Sequence, residues 1–288
     1  MIEITGLTKV YPGPVQALRG LDLTIDAGMF GLLGPNGAGK TSLMRILAGL
    51  IPPTSGRVRV FGHDVTTPGG KLAAKTLLGY LPQELGLYPN LTGIEFLDYI
   101  ALLKGLANAA DRRRQIMAAL EKVRLVEVAN RQVKTYSGGM KRRLGVAQAI
   151  LGQPKLLIVD EPTAGLDPEE RVRLRNLLSD MATRSTVILS THIIEDISQS
   201  CHDLAVIERG NVLFHGTPQT LISKVRGQVW AVTTAGERPA GSLTIVSSLQ
   251  LQAATQYRVL GLPSAQYRPT PVEPSLEDGY IWLMSQPH

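Results

Sequence analysis

The stretch Gly34-Pro35-Asn36-Gly37-Ala38-Gly39-Lys40-Thr41 constrains this chain more tightly than any other. It fits the pattern G-x-x-x-x-G-K-[ST]. An apolar run, Met29–Leu33, precedes it, and Leu43, Ile46, Leu47 and Leu50 follow at helical spacing. A strand feeding a glycine loop and a helix leaving it make a cradle for phosphate. The glycines let successive backbone N–H groups turn inward, and the helix N-terminus adds its dipole. In such a loop Lys40 reaches the β- and γ-phosphates and the Thr41 hydroxyl ligates Mg²⁺. Ser42, next in the same helix, belongs to the same candidate site.

A second half of the site is expected far along the chain. Leu156-Leu157-Ile158-Val159 is an apolar strand ending in two carboxylates, Asp160 and Glu161. An aspartate there supports Mg²⁺ in phosphate-loop enzymes, and a neighbouring carboxylate suits a general base that polarises water. These two motifs describe a magnesium-dependent nucleoside triphosphatase. Strands are expected at Ile2–Leu7, Leu21–Ile25 and Arg57–Phe61, with a turn at Pro12-Gly13-Pro14 and a loop around Asp64–Gly70. From Thr92 to Val128 the pattern is helical, with Phe96, Tyr99, Ile100 and Leu103 on one face. Later strands alternate with helices, which argues for a mostly parallel sheet covered by helices. A hairpin follows, Ala205–Glu208 to Val212–His215.

Composition bears on the class of molecule. Of 288 residues 44% are hydrophobic and 19% charged, enough apolar material to exclude wholesale disorder. No apolar run approaches the ~18 residues that span a bilayer, and the N-terminus lacks a signal-peptide layout. A single cysteine, Cys201, excludes an intrachain disulfide and fits a reducing, cytosolic compartment. The net charge of +6 lies wholly before residue 228, since the tail has three arginines against four carboxylates. Short strand-like runs, Val229–Thr233 and Leu243–Ser247, and an amphipathic segment at Ser275–Met284 mark that tail as a small α+β domain.

Around Tyr136-Ser137-Gly138-Gly139-Met140 the sequence resembles the ATP-binding-cassette (ABC) ATPases, with Tyr136 and Met140 departing from the family's commonest Leu-Ser-Gly-Gly-Gln. Other motifs then fall in order. Tyr11, 23 residues before Gly34, resembles the aromatic that stacks on adenine. Gln83, in Tyr80-Leu81-Pro82-Gln83-Glu84, resembles the glutamine that joins Mg²⁺ and senses the partner. Asp167, in Gly165-Leu166-Asp167-Pro168, belongs to a segment like the loop that crosses the family's dimer interface. His192 resembles the switch histidine at the γ-phosphate. A Ser-Gly-Gly turn opening a helix is itself an anion site. In the family, Ser137, Gly138 and Gly139 would close over the nucleotide of a second subunit.

The resemblance implies an α/β phosphate-loop ATPase core with an antiparallel β subdomain and a helical subdomain at about residues 85–152. It covers residues 1–225, leaving 226–288 as an accessory domain. It further implies an ATP-binding and ATP-hydrolysing subunit that powers a membrane transporter by ATP-driven dimer closure, using ATP and Mg²⁺. The expected partners are a multi-span membrane permease and a second cassette, with no nucleic acid. The expected place is peripheral, on the cytoplasmic face of a bacterial-type inner membrane. Lys141-Arg142-Arg143-Leu144 and the ending Pro274–Asp278 are similar to cassettes that energise export of drugs, polysaccharides or lipids. The alternatives are a cassette acting on nucleic acid or ribosomes, and a regulatory one. The span from Thr41 to Ser137 has no room for the long coiled coil of chromosome-maintenance cassettes.

Three features are read as bland. Arg112-Arg113-Arg114 and Lys141-Arg142-Arg143 are expected to be solvated faces of helices. Cys201-His202-Asp203 holds triad residue types, but adjacent residues do not face one another. His63, His215 and His288 have no metal-ligand spacing.

Overall fold

The computed structural model describes residues 1–13, 15–163 and 165–286; Pro14 of the expected turn, and His288, lie outside them. The chain divides into two compact units, Met1–His215 and Gly216–His288, ten residues before the division expected from sequence.

The first unit opens with β1 (Ile2–Tyr11) and β2 (Val15–Ile25), both longer than their apolar runs suggested. They pair antiparallel with Ile2 opposite Ile25 and Leu7 opposite Leu21. Next come β3 (Met29–Leu33), α1 (Lys40–Leu47), β4 (Ser55–Val60) and β5 (His63–Asp64). Helix α2 (Pro68–Thr76) replaces part of the expected loop; Thr67 caps it by accepting from the Gly70 N–H, and Pro68 fits its first turn. Then follow β6 (Leu78–Leu81), α3 (Gly93–Leu103), α4 (Ala109–Lys122) and α5 (Gly138–Ile150). The unit finishes with β7 (Leu156–Asp160), α6 (Pro168–Ala182), β8 (Thr186–Thr191), α7 (Ile194–Ser200), β9 (Asp203–Glu208) and β10 (Asn211–Gly216).

Two sheets result, ordered β2-β1-β4-β5 and β10-β9-β3-β8-β7-β6. In the second, β6, β7, β8, β3 and β9 run parallel. Every residue of β3, β7 and β8 is buried, as expected of strands covered on both faces. One core joins both sheets through α1: its Leu43, Met44, Ile46 and Leu47 pack with Ile4, Leu23, Leu156 and Ile158. Each such side chain contributes about 1.5–3 kcal/mol by burial. Leu50 is not part of this face; α1 stops at Leu47 and Leu50 is half exposed.

Helix α3 also turns differently from the expected face. Gly93, Phe96, Leu97 and Ala101 are buried, whereas Tyr99 and Leu103 are exposed. The cause is at Gly93: a Cβ there would lie 2.5 Å from the Tyr136 hydroxyl, which donates to the Val128 carbonyl at 2.8 Å. The tyrosine that departs from the commonest family residue thus sets the approach of α3 to the start of α5.

The second unit contains α8 (Pro218–Ser223), β11 (Val229–Thr234), β12 (Thr244–Gln250), β13 (Thr255–Leu260), β14 (Thr270–Pro271) and α9 (Leu276–Ser285). Its sheet runs β12-β13-β11-β14. Helices α8 and α9 meet where a side chain at Gly279 would strike the Leu221 backbone carbonyl, 3.0 Å away. That packing draws residues 218–223 into this unit, which accounts for the earlier division. No helix among the described residues is long and apolar enough to cross a membrane.

Candidate functional site

The loop from Gly34 to Thr41 leaves β3 at the carboxyl edge of the parallel sheet. Gly37 and Gly39 adopt φ of 81° and 106°, in the region that favours glycine. A Cβ at Gly34 would lie 2.1 Å from the Ile207 carbonyl oxygen, and one at Gly39 2.4 Å from that of Ala17. Backbone therefore presses on the loop from β9 and β2, and only glycine fits. Lys40 folds back over it, its ammonium donating to the carbonyls of Gly34 at 2.6 Å and Pro35 at 3.1 Å. Burial pulls Lys40 below the usual lysine range, opposed by the Glu161 and Asp160 carboxylates. Tyr11, at the end of β1, shares a 3.1 Å hydrogen bond with the Ser42 hydroxyl, so both lie beside the loop.

The parallel register brings the carboxylates to the same edge. Asp160 stands opposite Ser190, so β7 and β8 end together. The Thr41 hydroxyl donates to Asp160 Oδ2 at 3.0 Å, closing a link across 119 residues. Asp160 Oδ1, Glu161 Oε2 and Ser190 Oγ are buried with no hydrogen-bond partner. His192 Nδ1 lies 2.9 Å from Glu161 Oε2, within ion-pair distance. Glu161 has φ of 49°, strained for a residue with a side chain, and its N–H donates to the Ser190 carbonyl at 2.9 Å. Buried polar atoms left open beside a strained carboxylate form a site built to receive something polar.

The donors suit a hard cation. Thr41 and Asp160 offer oxygen, and Asp160 Oδ1 is open. Among the described residues no cluster of three or more His, Cys, Asp or Glu could hold a metal. One hydroxyl and one carboxylate are protein donors suited to Mg²⁺ where phosphate and water supply the remaining ligands.

The other motif residues are placed less directly. Gln83 follows β6, which pairs with β7 at Leu81–Val159, so it lies near Asp160 at the same sheet edge. It is exposed, and its carbonyl is held by Arg142. Ser137 caps α5, accepting from the Met140 N–H at 3.2 Å, and Ser137 and Gly138 are exposed. Among the described residues no hydrogen bond or ion pair joins the 137–139 turn to the 34–41 loop. Asp167 caps α6, accepting from the Glu170 N–H at 2.8 Å.

One expectation is overturned. Arg142 is not on a solvated face: it is 7% exposed and surrounded by backbone carbonyls near the site. Arg143 is partly buried and pairs with Glu170 at 3.2 Å. Charge runs indicate surface only on average, and this helix faces the 82–83 and 160–162 segments. No local signal marks Arg142. Arg112 departs in the same way, its side chain largely buried, with Nε donating to Asp98 Oδ1 at 2.7 Å and Nη1 to the Leu106 and Ala107 carbonyls, whereas Arg113 and Arg114 are exposed. Burial, with Asp196 and Asp203 adding, pushes the Cys201 thiol up, so it stays protonated and unreactive.

The family profile described as ABC transporter matches residues 18–164, more than half of the 288. This chain belongs to the ABC transporter family. It is 38% identical over 239 residues to the probable multidrug ABC transporter ATP-binding protein YbhF of Escherichia coli, covering 82% of this chain and 41% of that protein. The linearmycin resistance ATP-binding protein LnrL of Bacillus subtilis is 34% identical over 262 residues, 90% of this chain and 83% of that one. The daunorubicin/doxorubicin resistance ATP-binding protein DrrA of Streptomyces peucetius is 39% identical over 230 residues, covering 79% and 68%. The cassette spans less than half the length of some curated relatives, 31% for ABC transporter A family member 7 of Arabidopsis thaliana. Among solved structures, an ATP binding subunit of an ABC transporter aligns with TM-score 0.71 and 27% identity, covering 78% of this chain and 92% of that one.

Proposed function

We propose that this cassette is the ATP-binding and ATP-hydrolysing subunit of a membrane exporter. The observation that carries the reading is the buried Asp160–Glu161 pair at the end of β7, joined to the glycine loop by the Thr41–Asp160 hydrogen bond. The triphosphate would replace the Gly34 and Pro35 carbonyls as the partner of Lys40, with the loop N–H groups as its other donors. Thr41, Asp160 and Gln83 would hold Mg²⁺, which neutralises phosphate charge when bound. Glu161 accepts the proton of the attacking water, and His192, beside it, donates where negative charge builds on the phosphate. Tyr11 offers a face to the base.

The Ser137–Gly139 turn, exposed at Ser137 and Gly138 and joined by no hydrogen bond to the Gly34–Thr41 loop among the described residues, fits a second cassette's nucleotide, so two chains packed head to tail would close two sites. Drug-resistance names among the relatives support export, and in this reading the cassette acts on a multi-span membrane protein from the membrane's cytoplasmic face.

The test is Glu161→Gln. It should keep ATP binding and lower turnover by ~10²-fold or more. Near-normal hydrolysis would end this assignment. A pull-down from detergent extract at high salt should recover a multi-span membrane protein. Recovery of nucleic acid as the salt-resistant partner would favour the alternative.

A further inference from the structure

Arg142 sits one turn into α5, and among the described residues every hydrogen bond of its guanidinium goes to a backbone carbonyl. Nη1 donates to the carbonyls of Pro82 at 3.1 Å and Gln83 at 3.0 Å. Nε donates to Pro162 at 3.1 Å, and Nη2 donates to Asp160 at 2.8 Å and to Glu161. The two arms of the fork therefore serve different segments. One holds the turn after β6 and the other the end of β7. Three residues on, Gly145 lets the same helix approach the first segment: a Cβ there would lie 2.7 Å from Leu85 Cδ2 and 2.9 Å from Leu81 Cδ1.

The geometry matters most at Glu161. Its backbone is held at φ 49°, a conformation that persists only where surroundings over-determine it. Two bonds do so: the Glu161 N–H to the Ser190 carbonyl, and the Glu161 carbonyl from Arg142. The helix carrying this guanidinium begins at the Ser137–Gly139 turn.

We propose that Arg142 is a positioning residue that locks the Glu161 carboxylate and the Gln83 turn into one fixed relation to the Ser137 end of α5. The inference rests on the reading of Glu161 as the group that polarises water. A planar, five-donor fork can bridge the two segments, whereas a lysine ammonium has the charge without the span. The lock acts on the reacting geometry, and among the described residues Arg142 makes no hydrogen bond to the Gly34–Thr41 loop.

The experiment uses the full chain with Arg142→Lys and Arg142→Met. ATP affinity is measured by titration with a fluorescent ATP analogue, turnover by phosphate release, and folding by thermal unfolding. Both variants should bind the analogue within about 3-fold of the wild type and turn over ~10-fold or more slowly, a loss in kcat without a matching rise in KM. Combined with Glu161→Gln, Arg142→Lys should add less than 3-fold in single-turnover assays, because the carboxylate it positions is already lost. Normal turnover in Arg142→Lys would overturn the proposal. So would loss of analogue binding or of the folded state in step with turnover, which would make the guanidinium a support of the fold. The single variant Glu161→Gln separates the two claims: if it hydrolyses normally, the underlying site reading fails first.

Discussion

Replacing Asp278 with asparagine should weaken the Gly216–His288 unit severely. Asp278 is fully buried and accepts from Arg258 Nε at 2.8 Å and Nη2 at 2.6 Å, and from Ser275 N at 2.6 Å and Oγ at 2.7 Å. It thereby ties α9 to β13 and closes the α9 capping box. Asparagine keeps the shape but removes the charge and turns two N–H donors toward groups that are themselves donors. Breaking one side of a buried pair costs about 3–5 kcal/mol, and the quarter exposure of the Arg258 side chain points to the lower end, about 3 kcal/mol. A unit of this size holds on the order of 4–11 kcal/mol in all. With a urea dependence near ~1 kcal/mol/M, the midpoint should fall by roughly 3 M.

The assay is urea unfolding followed by tryptophan fluorescence. Both of the chain's tryptophans, Trp230 and Trp282, lie in this unit, so the signal reports it selectively. Acid provides a second arm. Burial would raise the Asp278 carboxyl, but the bonds from Arg258 and Ser275 outweigh it and hold the group below the usual aspartate range. The unfolded chain then binds the proton at a higher pH than the folded one. The stabilisation is present above the ordinary aspartate value and is lost as pH falls through the depressed one. The gap between wild type and variant should therefore be full at neutral pH and narrow below about pH 4. A midpoint within about 0.5 M of wild type, or a gap unchanged in acid, would refute the account.

Gly93→Ala should cost about 1–3 kcal/mol by forcing a methyl onto the Tyr136 hydroxyl. Tyr136→Phe removes that oxygen, so denaturation of the double variant should show less than the summed loss, and strict additivity would count against the packing argument. Gly39→Ala meets both a φ of 106° and the Ala17 carbonyl, and should weaken nucleotide binding by ~10-fold or more by titration; wild-type affinity would mean that the loop tolerates a Cβ. Ser137→Arg in a Glu161→Gln background should bind ATP as a monomer but fail to dimerise on size exclusion, with about 1 kcal/mol lost from the α5 cap. An ATP-dependent dimer would contradict the two-chain site.

Much of the site was legible because its parts are local. Strand β3 has the expected bounds, and the glycine loop needs only contiguous glycines, a lysine and a helix start. Helix α2 was missed although Thr67-Pro68 is a start signal, since its Gly69-Gly70 reads as loop. Strand β13 was missed because Thr255–Leu260 mixes Gln256 and Arg258 into its apolar alternation, and Arg258 is drawn inward by Asp278. The face of α3 was read one step out of place because hydrophobic spacing does not record which neighbour presses on Gly93.

The sequence by itself determined the glycine loop, the acidic strand end and the strand that feeds the loop, since each depends on residues adjacent in the chain or repeating at a fixed period. Tertiary structure alone decided that Thr41 meets Asp160, that Asp160 and Ser190 end their strands side by side, and that Arg142 faces five carbonyls rather than water. Such meetings depend on sheet register and helix approach across 18 to 119 residues. Periodicity tells an element which face to bury; packing decides what that face will touch.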